Sequence, residues 1–387
     1  MLACRDLCLI SERLAGVLNN SLDPFGGMNM VFAGDFAQLP PVFGDEYDSL
    51  YTPRLPSVAS VELADQRKIA GKALWHQVTT VVMLKENMRQ MTQSLADAKF
   101  RTALINMRYG ACTQQDLEFL ESRVHHMSDP ERPNIADENF RHVAIITSYN
   151  ASKDALNRIG SARFALETNQ ILVDFYSEDV LHVVDEEKSK GKKRRVFKPT
   201  KNIPPQTQRW LWNQPTSCTQ KQISGRLSLC IGLPVMIRTN LATELCITKG
   251  QEGFVHGWID GTGSKGQRTL EVLFVKLANP PQTVQFDGLP ENVVPVYKTT
   301  TATGVVLPIG PEVKINRTQV EVLPNFAMTD YASQGKTRPY NPVDLSSSKS
   351  QLHVYTALSR GTSAAGTLIL DKYGKDKITA GISGALR

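Results

Sequence analysis

Alternation between short apolar runs and amphipathic stretches is the feature of this sequence that most limits its fold. Apolar runs that end in Gly or polar residues alternate with segments whose apolar residues recur at helical spacing, a pattern that favours an α/β fold with a mostly parallel sheet. The predicted strands lie at 28–33, 78–84 and 142–147, and the predicted helices at 1–20, 94–107 and 152–159. Thr113 and Asp116 form a capping-box pattern that begins another helix.

A β-rich region interrupts this alternation between residues 234 and 322. Its predicted strands lie at 235–238, 253–258 and 270–277, and Asp260-Gly261-Thr262-Gly263 marks a hairpin connection. A predicted helix at 354–358 and a predicted strand at 367–370 follow it. The sequence therefore predicts a small antiparallel barrel or sheet set inside an α/β protein of two or three compact domains, as its 387 residues also indicate.

Composition excludes several classes of protein. Hydrophobic residues make up 41% and charged residues 21%, which is typical of globular chains and not of disordered or collagen-like ones. No apolar run approaches the ~18 residues of a membrane span. Charged residues near the N-terminus leave no room for the apolar part of a secretory signal. The six cysteines form no C-x-x-C pair, so we expect reduced, buried thiols in an intracellular protein.

Basic charge is concentrated in one segment, residues 188–201. This tract holds eight of the 44 Lys and Arg residues and no acidic residue, so the rest of the chain carries 6 − 8 = −2 of the net +6. Like charges at this density resist burial, and we expect an exposed loop within a polar insertion or long loop at about 175–222. The tract could serve nuclear import or non-specific DNA contact, and a merely solvated insertion is the alternative.

The first candidate site follows the predicted strand at 28–33. Gly34 and Asp35 stand at its carboxyl end, which is where open α/β sheets bind ligands. Gln38 lies three residues beyond Asp35, and a Gln that orients water is a known device in phosphoryl transfer. The alternative, a surface turn closed by two prolines, is the better interpretation of an isolated Gly-Asp pair.

Two polar residues follow the next predicted strands. Arg89 comes after strand 78–84, where a guanidinium could reach a γ-phosphate with two hydrogen bonds, and the alternative is an ordinary solvated Arg. Asn150 comes after strand 142–147, where a polar side chain could hold DNA phosphates or bases, and the alternative is a helix cap.

The last third of the chain contains two further candidates. Residues 327–337 are rich in hydroxyl and amide groups that suit contacts with phosphates, although their Gly-Lys-Thr lacks the first Gly of a P-loop. Arg360 ends the predicted helix 354–358, and an Arg held on a packed helix could act as a finger across a cleft. The alternative is an Arg placed favourably at a helix C-terminus.

Taken in order, these segments resemble one known family. The series GDFxQLPPV, LxxNxRQ, a strand ending in Asn150, GxPVMIRTN at 232–240, TxxxSQG and YTALSR resembles the superfamily-one DNA helicases, in their Pif-one-like and Helitron-type branch. The resemblance covers nearly the whole chain and is weakest over 43–80 and 160–225.

The resemblance implies two RecA-like domains that clamp ATP and Mg²⁺, with single-stranded DNA or a DNA junction across both. The implied domains are the C-terminal part of the first RecA-like domain at 1–90, the first part of the second at 91–235, an inserted small β-barrel at 236–322 and the remainder of the second at 323–387. The family also implies a nuclear protein of DNA repair, recombination or Helitron transposition.

The same resemblance assigns roles to the candidate residues. Gln38, Arg89 and Arg360 are the implied catalytic residues, with Arg360 as the finger reaching across an open groove. The implied nucleotide-binding residues are Gly34, Asp35, Gln38, Arg89, Gln334, Gly335 and Arg360. The implied DNA-binding residues are Asn150, Thr329 and Ser333.

The sequence departs from the family pattern in three respects. It contains no G-x-x-x-x-G-K-S/T pattern and no Asp-Glu pair of the family's magnesium motif. Met1-Leu2 begins where relatives carry Met-Leu just after that motif, so we expect the chain to start inside the enzyme and not to hydrolyse ATP alone. Asp330-Tyr331-Ala332 stands where many relatives have Ile-His-Lys, which predicts weaker DNA contact.

Two classes of function remain open from the sequence. The first is an ATP-dependent DNA helicase by descent, of which these 387 residues are inactive on their own. The second is a catalytically dead nucleic-acid-binding or scaffold protein derived from a helicase or transposon. A metalloenzyme is disfavoured, because the seven His and six Cys residues show no ligand spacing.

Overall fold

The computed structural model describes residues 2–41, 48–53, 55–56, 62–91, 94–127, 129, 132–189, 192–306, 312–379 and 381, and for 183–198, 306 and 312 it describes the backbone only. The helices of this part of the chain are α1 (Cys4–Val17), α2 (Leu63–Trp75), α3 (Leu95–Arg108), α4 (Gln114–Glu121), α5 (Asn150–Glu167), α6 (Pro205–Asn213), α7 (Asp330–Ser333), α8 (Gln351–Leu358) and α9 (Lys375–Thr379). None of them is long and apolar enough to cross a membrane.

The strands combine three-residue segments with long antiparallel ones. They are β1 (Ile145–Thr147), β2 (Val173–Tyr176), β3 (Glu178–Ser189), β4 (Lys192–Thr200), β5 (Arg226–Leu229), β6 (Pro234–Ile237), β7 (Glu252–Thr262), β8 (Arg268–Leu277), β9 (Val293–Val306), β10 (Glu312–Val320), β11 (Val322–Pro324), β12 (Ala327–Thr329), β13 (Asn341–Val343) and β14 (Thr367–Ile369). The predicted α/β class is confirmed, because β1 pairs with β12 and β13 with β14 in parallel.

The chain forms two compact units. Unit 1 comprises residues 1–140 and 333–387, and unit 2 comprises residues 141–332. The predicted helicase domain boundaries near residues 90, 235 and 322 stay a prediction.

Unit 1 begins with a pair of packed helices. The apolar face of α1 buries Cys4 and Leu7 against Phe25 and Leu50. Helix α2 packs close to α1 at Gly71, where an added Cβ would stand 1.8 Å from the carbonyl oxygen of Cys4. A larger residue at that position would therefore push the two helices apart.

Helices α3 and α4 begin where the sequence signals predict. The Ser94 hydroxyl accepts the main-chain N–H of Asp97, which caps α3. Thr113 and Asp116 form the predicted capping box of α4, with the Thr113 main-chain N–H donating to the Asp116 carboxylate at 2.8 Å. These caps satisfy main-chain groups that would otherwise lack partners at a helix start.

Two predicted strands of unit 1 are wrong. Residues 28–33 and 78–84 form no strand, and much of their apolar surface is exposed, with Val31 and Leu84 each 93% accessible. An apolar run becomes a strand only when a neighbour supplies main-chain hydrogen-bond partners. No strand of the described residues lies alongside either segment, so both remain irregular.

Unit 2 is built on a large antiparallel sheet. Its strand order is β11-β6-β7-β8-β9-β10-β3-β4, and the long strand β9 joins the two halves because residues 293–297 lie along β8 and 298–306 along β10. The core beneath it includes Phe175, Leu229 and Leu273. The three predicted strands between 235 and 277 are confirmed, and the turn follows Gly263, slightly later than the predicted hairpin connection.

For residues 175–222 the sequence predicts an insertion or a long loop, and the long loop is wrong because this segment contains β3, β4 and α6. Strand β3 extends the sheet by pairing with β10, so the β module is larger than the predicted 236–322. The described strands form a linear order, and barrel closure is not confirmed. Long-range pairing of this kind leaves no signal in local composition, so a polar strand of this type has the same local sequence character as a loop.

Most of the basic tract 188–201 lies in strand β4. Its backbone pairs with β3 in a register that sets Glu186 opposite Arg195 and Glu187 opposite Arg194, so the predicted loop is wrong for this segment. Residues 190–191 lie outside the described residues, as do the side chains of 183–198.

All six cysteines are free thiols, as the sequence predicts. Cys4, Cys8 and Cys230 are buried, whereas Cys218 is exposed, so the expectation of buried thiols fails at that position. Burial raises the pKa of the Cys112 thiol to about 11, which keeps it protonated at neutral pH.

Candidate functional site

The Gly34-Asp35 turn of unit 1 is organised around the Asp35 carboxylate. It accepts the main-chain N–H of Ala37 at 2.9 Å and the Gln38 side-chain amide at 3.3 Å. The second interaction fixes the half-buried Gln38 beside the turn. The predicted pairing of Asp35 with Gln38 in one turn is therefore present, although no strand precedes it.

Arg108, at the end of α3, is the strongest partner of this turn. Its Nη1 lies 2.5 Å from the Asp35 carboxylate and 3.3 Å from the Tyr355 hydroxyl. Burial alone would lower the pKa of Arg108, but the hydrogen bonds to Asp35 and Tyr355 outweigh it and raise that pKa. Asp35 is thus already neutralised by a cation.

Arg89 reaches the segment that contains Arg360. Its Nε donates to the Thr337 hydroxyl at 3.1 Å, and its Nη1 donates to the Ser359 carbonyl at 2.9 Å. The adjacent Gln90 donates to the Gly361 carbonyl at 2.6 Å. The predicted Arg89 segment and the Ser-Arg-Gly segment, about 270 residues apart, therefore meet in one unit.

Arg360 is buried, with 2% of its surface accessible. Its Nε donates to the Thr356 carbonyl at 3.0 Å and its Nη2 to the Ser359 hydroxyl at 2.9 Å. Burial, followed by the nearby positive charge of Arg89, lowers the pKa of Arg360 to about 10. The prediction of an open groove in front of Arg360 is wrong. The end of α8 packs against the Arg89 segment, and this packing buries the Arg360 side chain.

Arg89 and Arg360 form a pair of like charges without a carboxylate partner. Both hydrogen-bond to neutral oxygen atoms, and neither forms an ion pair among the residues that the structure describes. Because Arg89 lowers the pKa of Arg360, the two charges repel each other. An anion placed between them would relieve this repulsion.

The turn after α7 contains the other two predicted nucleotide residues. Gln334 is half-buried and forms no described hydrogen bond with Gln38, Arg89 or Arg360. Gly335 has φ = +81° and open space around the position of a Cβ, so glycine is favoured there by backbone conformation. Thr337, two residues on, is the part of this segment that contacts Arg89.

The predicted DNA residues of unit 2 gather at one sheet edge. Strands β1 and β12 run parallel with Thr147 opposite Thr329, so Asn150 and Thr329 both stand at their carboxyl ends. The Ser148 hydroxyl donates to the Asp330 carboxylate at 3.0 Å and links the two strand ends. The Asn150 side-chain oxygen is buried without a hydrogen-bond partner, so it can accept one from a ligand that reaches it.

Thr329 and Ser333 lie at opposite ends of the short helix α7. Thr329 accepts the Ala332 main-chain N–H at 3.3 Å, which caps this helix. Ser333 is fully buried. Contact between Ser333 and DNA would therefore require a change in its surroundings.

A magnesium site is absent from the described residues. No group of three His, Cys, Asp or Glu side chains among them could hold a metal ion. Asp35, whose negative charge acts on the pKa of Arg360, is paired with Arg108. The described residues therefore do not fit Mg²⁺.

Sequence reasoning missed the residues that hold this cluster together. Arg108 contacts Asp35 and Tyr355, and Thr337 contacts Arg89, each from a position far away in the sequence. Arg108 is only a basic residue in the last turn of a helix, which is common because cations are favoured there. No local signal distinguishes it from other arginines.

Comparison with known proteins agrees with these geometric findings. Residues 9–118 match the PIF1-like helicase family. No curated protein sequence matches the chain. Among solved structures, Pif1 helicase from Candida albicans is 21% identical with a TM-score of 0.58, and the match covers 100% of this chain and 73% of that one.

Two structures of Bacteroides Pif1 are also similar. The one bound to ssDNA is 18% identical with a TM-score of 0.58, and the one in complex with ADP-AlF3 and ssDNA is 18% identical with a TM-score of 0.59. Each match covers 97% of this chain and 70% of the other. At these identities the structures establish the fold. Over residues 9–118 the chain therefore matches the PIF1-like helicase family, and its fold is the α/β, RecA-like fold of the Pif1 helicases.

Proposed function

We propose that the chain is the nucleotide-responsive and DNA-binding part of an ATP-dependent DNA helicase of the Pif1 type. The proposal of nucleotide binding rests on one observation. Arg89 and Arg360 lie close together, have the same charge and form no ion pair with a carboxylate among the described residues. Two guanidinium groups in this arrangement suit the phosphates of ATP. The Gln38 amide, held by Asp35 in the same unit, could orient water.

Arg360 has to leave its present hydrogen bonds before it can touch a phosphate. It now donates to main-chain and hydroxyl oxygens on α8 and is nearly inaccessible. Arg89 donates to the carbonyl of Ser359, and Arg360 donates to the hydroxyl of the same residue, so one anion could reach both guanidinium groups. We propose that phosphate binding exchanges these neutral acceptors for anionic oxygens.

The DNA half of the proposal concerns the carboxyl ends of β1 and β12. Asn150 and Thr329 stand there together, and the unpartnered Asn150 oxygen is available to a base or sugar donor. Bacteroides Pif1, a structural neighbour, has been solved with ssDNA. Single-stranded DNA is therefore the partner we propose, with DNA junctions as a further candidate.

The 387 residues alone should not hydrolyse ATP. Their sequence has no G-x-x-x-x-G-K-S/T pattern, and the described residues contain no group of three side chains that could hold a metal ion. The groups that cradle phosphate and hold Mg²⁺ supply much of the transition-state stabilisation in this chemistry. DNA-stimulated phosphate release by the purified chain, lost in Arg360→Ala, would overturn this part.

Binding of a fluorescent ATP analogue tests the nucleotide half. We expect Arg89→Ala and Arg360→Ala each to weaken binding by about 10-fold or more, since a hydrogen bond to a charged group contributes ~1.5–3 kcal/mol. Arg13→Ala, at an exposed position in the same unit, is the matched control and should bind as wild type does. Equal affinity in all four proteins would refute the phosphate role of this pair.

Fluorescence anisotropy with a labelled oligothymidine tests the DNA half. Asn150→Ala and Thr329→Val should each weaken binding about 3- to 10-fold, in keeping with the loss of one neutral hydrogen bond. Thr168→Val, which changes an exposed hydroxyl at the far end of α5, should leave binding unchanged. DNA binding without any nucleotide binding would favour the catalytically dead nucleic-acid-binding alternative.

A nuclear location is proposed from the basic tract 188–201 alone. Eight basic residues without an acidic one are typical of nuclear import segments and of non-specific DNA contacts. A fluorescent fusion lacking 188–201 should lose nuclear enrichment. An unchanged distribution together with an unchanged salt dependence of DNA binding would contradict both uses of the tract.

A further inference from the structure

A cavity of about 690 Å³ opens in unit 2, between one face of α5, the β2–β5 ladder and the segment after α6. Small residues of α5, Ala151, Ala155 and Ala162, form part of its wall and leave space above the helix. Leu172 and Leu323 add apolar surface. The size and the mixed lining are those of a small-molecule site.

The cavity has a fixed aromatic wall. Trp212 lines it, and the indole Nε1 donates to the Ser177 carbonyl at 2.9 Å. The Trp212 ring also packs against Tyr176 with 4.9 Å between ring centroids. Because two contacts hold the indole in place, a planar ligand could stack on it without the entropy cost of ordering a free side chain.

The charged residues of the lining are two Asp and two Arg, and Arg158 is the one that no carboxylate engages among the described residues. Asp154 accepts the Thr216 hydroxyl at 2.6 Å and the Ser217 main-chain N–H at 2.7 Å, and Lys153 lies 3.2 Å from it. Arg158 lines the cavity and forms no ion pair or hydrogen bond among the described residues. Its guanidinium is therefore free to bind a phosphate.

The second carboxylate of the lining is likewise engaged. Asp174 accepts the Ser228 hydroxyl at 2.5 Å and lies 3.7 Å from Arg226, a long contact for an ion pair. Arg226 lines the same cavity and lies beside Asp174, so it offsets the charge of this carboxylate. Neither carboxylate stands unneutralised against an anionic ligand.

A buried hydroxyl supplies the independent indication of a ligand. Ser161 lines the cavity with 4% of its surface accessible, and its Oγ is buried without a hydrogen-bond partner. Buried polar groups usually have a hydrogen-bond partner. A buried hydroxyl without one, at the wall of a cavity, therefore indicates that a ligand or a water molecule supplies the partner. A hydroxyl can both donate to and accept from a base or a ribose.

We infer that this cavity binds a nucleoside monophosphate unit. The base would stack on Trp212, the phosphate would contact Arg158, and the Ser161 hydroxyl would bond to a polar edge of the ligand. The unit could be a free nucleotide or one nucleotide of a strand, and both present the same chemistry. This inference rests on the cavity alone and does not require the function proposed above.

Isothermal titration with dAMP, and in a parallel arm with a short oligodeoxyadenylate, tests the inference on the full chain. Arg158→Ala should weaken binding at least 10-fold, and Ser161→Ala should weaken it about 3- to 10-fold. Ala155→Phe should abolish binding by filling the cavity. The matched control is Arg163→Ala, which removes an exposed Arg of the same helix outside the cavity.

The two arms distinguish the sources of the nucleotide. Binding of dAMP that Arg158→Ala weakens supports a free nucleotide, and binding of the oligomer alone with the same sensitivity supports a strand. Wild-type affinity in Arg158→Ala, or no binding of either probe at millimolar concentration, overturns the inference. Arg158 is exposed, so its removal leaves the fold intact even if the filled variant fails to fold. Arg89 and Arg360 lie in unit 1, so a failure here is separable from a failure of the ATP proposal.

Discussion

The Arg108 Nη1 lies 2.5 Å from a carboxylate oxygen of Asp35. This contact joins the end of α3 to the Gly-Asp turn, although the two residues are 73 positions apart in the sequence. This contact, together with the hydrogen bond from Arg108 to Tyr355, sets the position of the turn that carries Gln38. The position of Gln38 thus depends on an arginine outside every motif of the sequence.

Removing this arginine should loosen the turn more than it destabilises the protein. Without Arg108, Asp35 loses its cation and its hold on the Ala37 N–H weakens, so we expect faster amide hydrogen exchange at 35–38 in Arg108→Met. Stability should fall by about 1 kcal/mol or less, as is usual for partly exposed pairs. Arg5→Met, at an exposed site of α1, is the control. Unchanged exchange at 35–38 would contradict the positioning role.

The buried pair of Arg317 and Asp179 should matter far more for stability. Both side chains are almost inaccessible, and the guanidinium donates to both carboxylate oxygens, at 2.8 and 3.1 Å. Arg317→Met leaves a buried, unpaired carboxylate and should lower the free energy of unfolding by ~3–5 kcal/mol. Urea unfolding followed by tryptophan fluorescence measures this change.

An exposed pair in the same unit provides the comparison. The Arg268 Nε and an Asp260 carboxylate oxygen also lie 2.5 Å apart, but both side chains are exposed. Arg268→Met should therefore lower the free energy of unfolding by about 1 kcal/mol or less. Adding Asp179→Leu to Arg317→Met should recover much of the loss, because the unpaired charge is then gone. Equal effects of Arg317→Met and Arg268→Met would refute the argument from burial.

Stability should fall at acidic pH through His142. Burial lowers the pKa of His142 below 6.5, against the opposing effect of Glu167, and Arg163 and Arg141 lower it further. The unfolded chain therefore binds more protons than the folded one as the pH drops below about 6.5, and folding loses stability there. His142→Gln should reduce the difference in melting temperature between pH 7.5 and pH 5. An identical difference in both proteins would show that His142 does not contribute.

Two helical glycines should respond in opposite directions to alanine. A Cβ at Gly160 in α5 would stand 2.4 Å from the Phe326 ring, so Gly160→Ala should destabilise by ~1–3 kcal/mol. At Gly16 in α1 a Cβ meets nothing within 4 Å, so Gly16→Ala should stabilise by ~0.5–1 kcal/mol. The melting temperatures of both variants, measured by thermal unfolding, test these two predictions. A higher melting temperature of Gly160→Ala would contradict the close packing at Phe326.

Much of the fold could be predicted from local sequence signals. The caps at Ser94 and Thr113 mark the starts of α3 and α4, since a side-chain oxygen three residues before an N–H acts within a single turn. The strands of the β module follow from short β-branched runs divided by turn residues. The resemblance to the Pif1 helicases follows from the order of the motifs along the chain. The family match and the fold support this resemblance.

Only the tertiary structure decided which apolar runs became strands and which charges found partners. Residues 28–33 and 78–84 have strand-like sequences but lack a neighbouring strand among the described residues. The polar segment β3 forms a strand because it pairs with β10. The partners of Asp35 and Asp179 lie 73 and 138 positions away, and Arg360 is closed in by the Arg89 segment. A strand needs a second backbone and an ion pair needs a second side chain, and no local pattern specifies where in space that second group will lie.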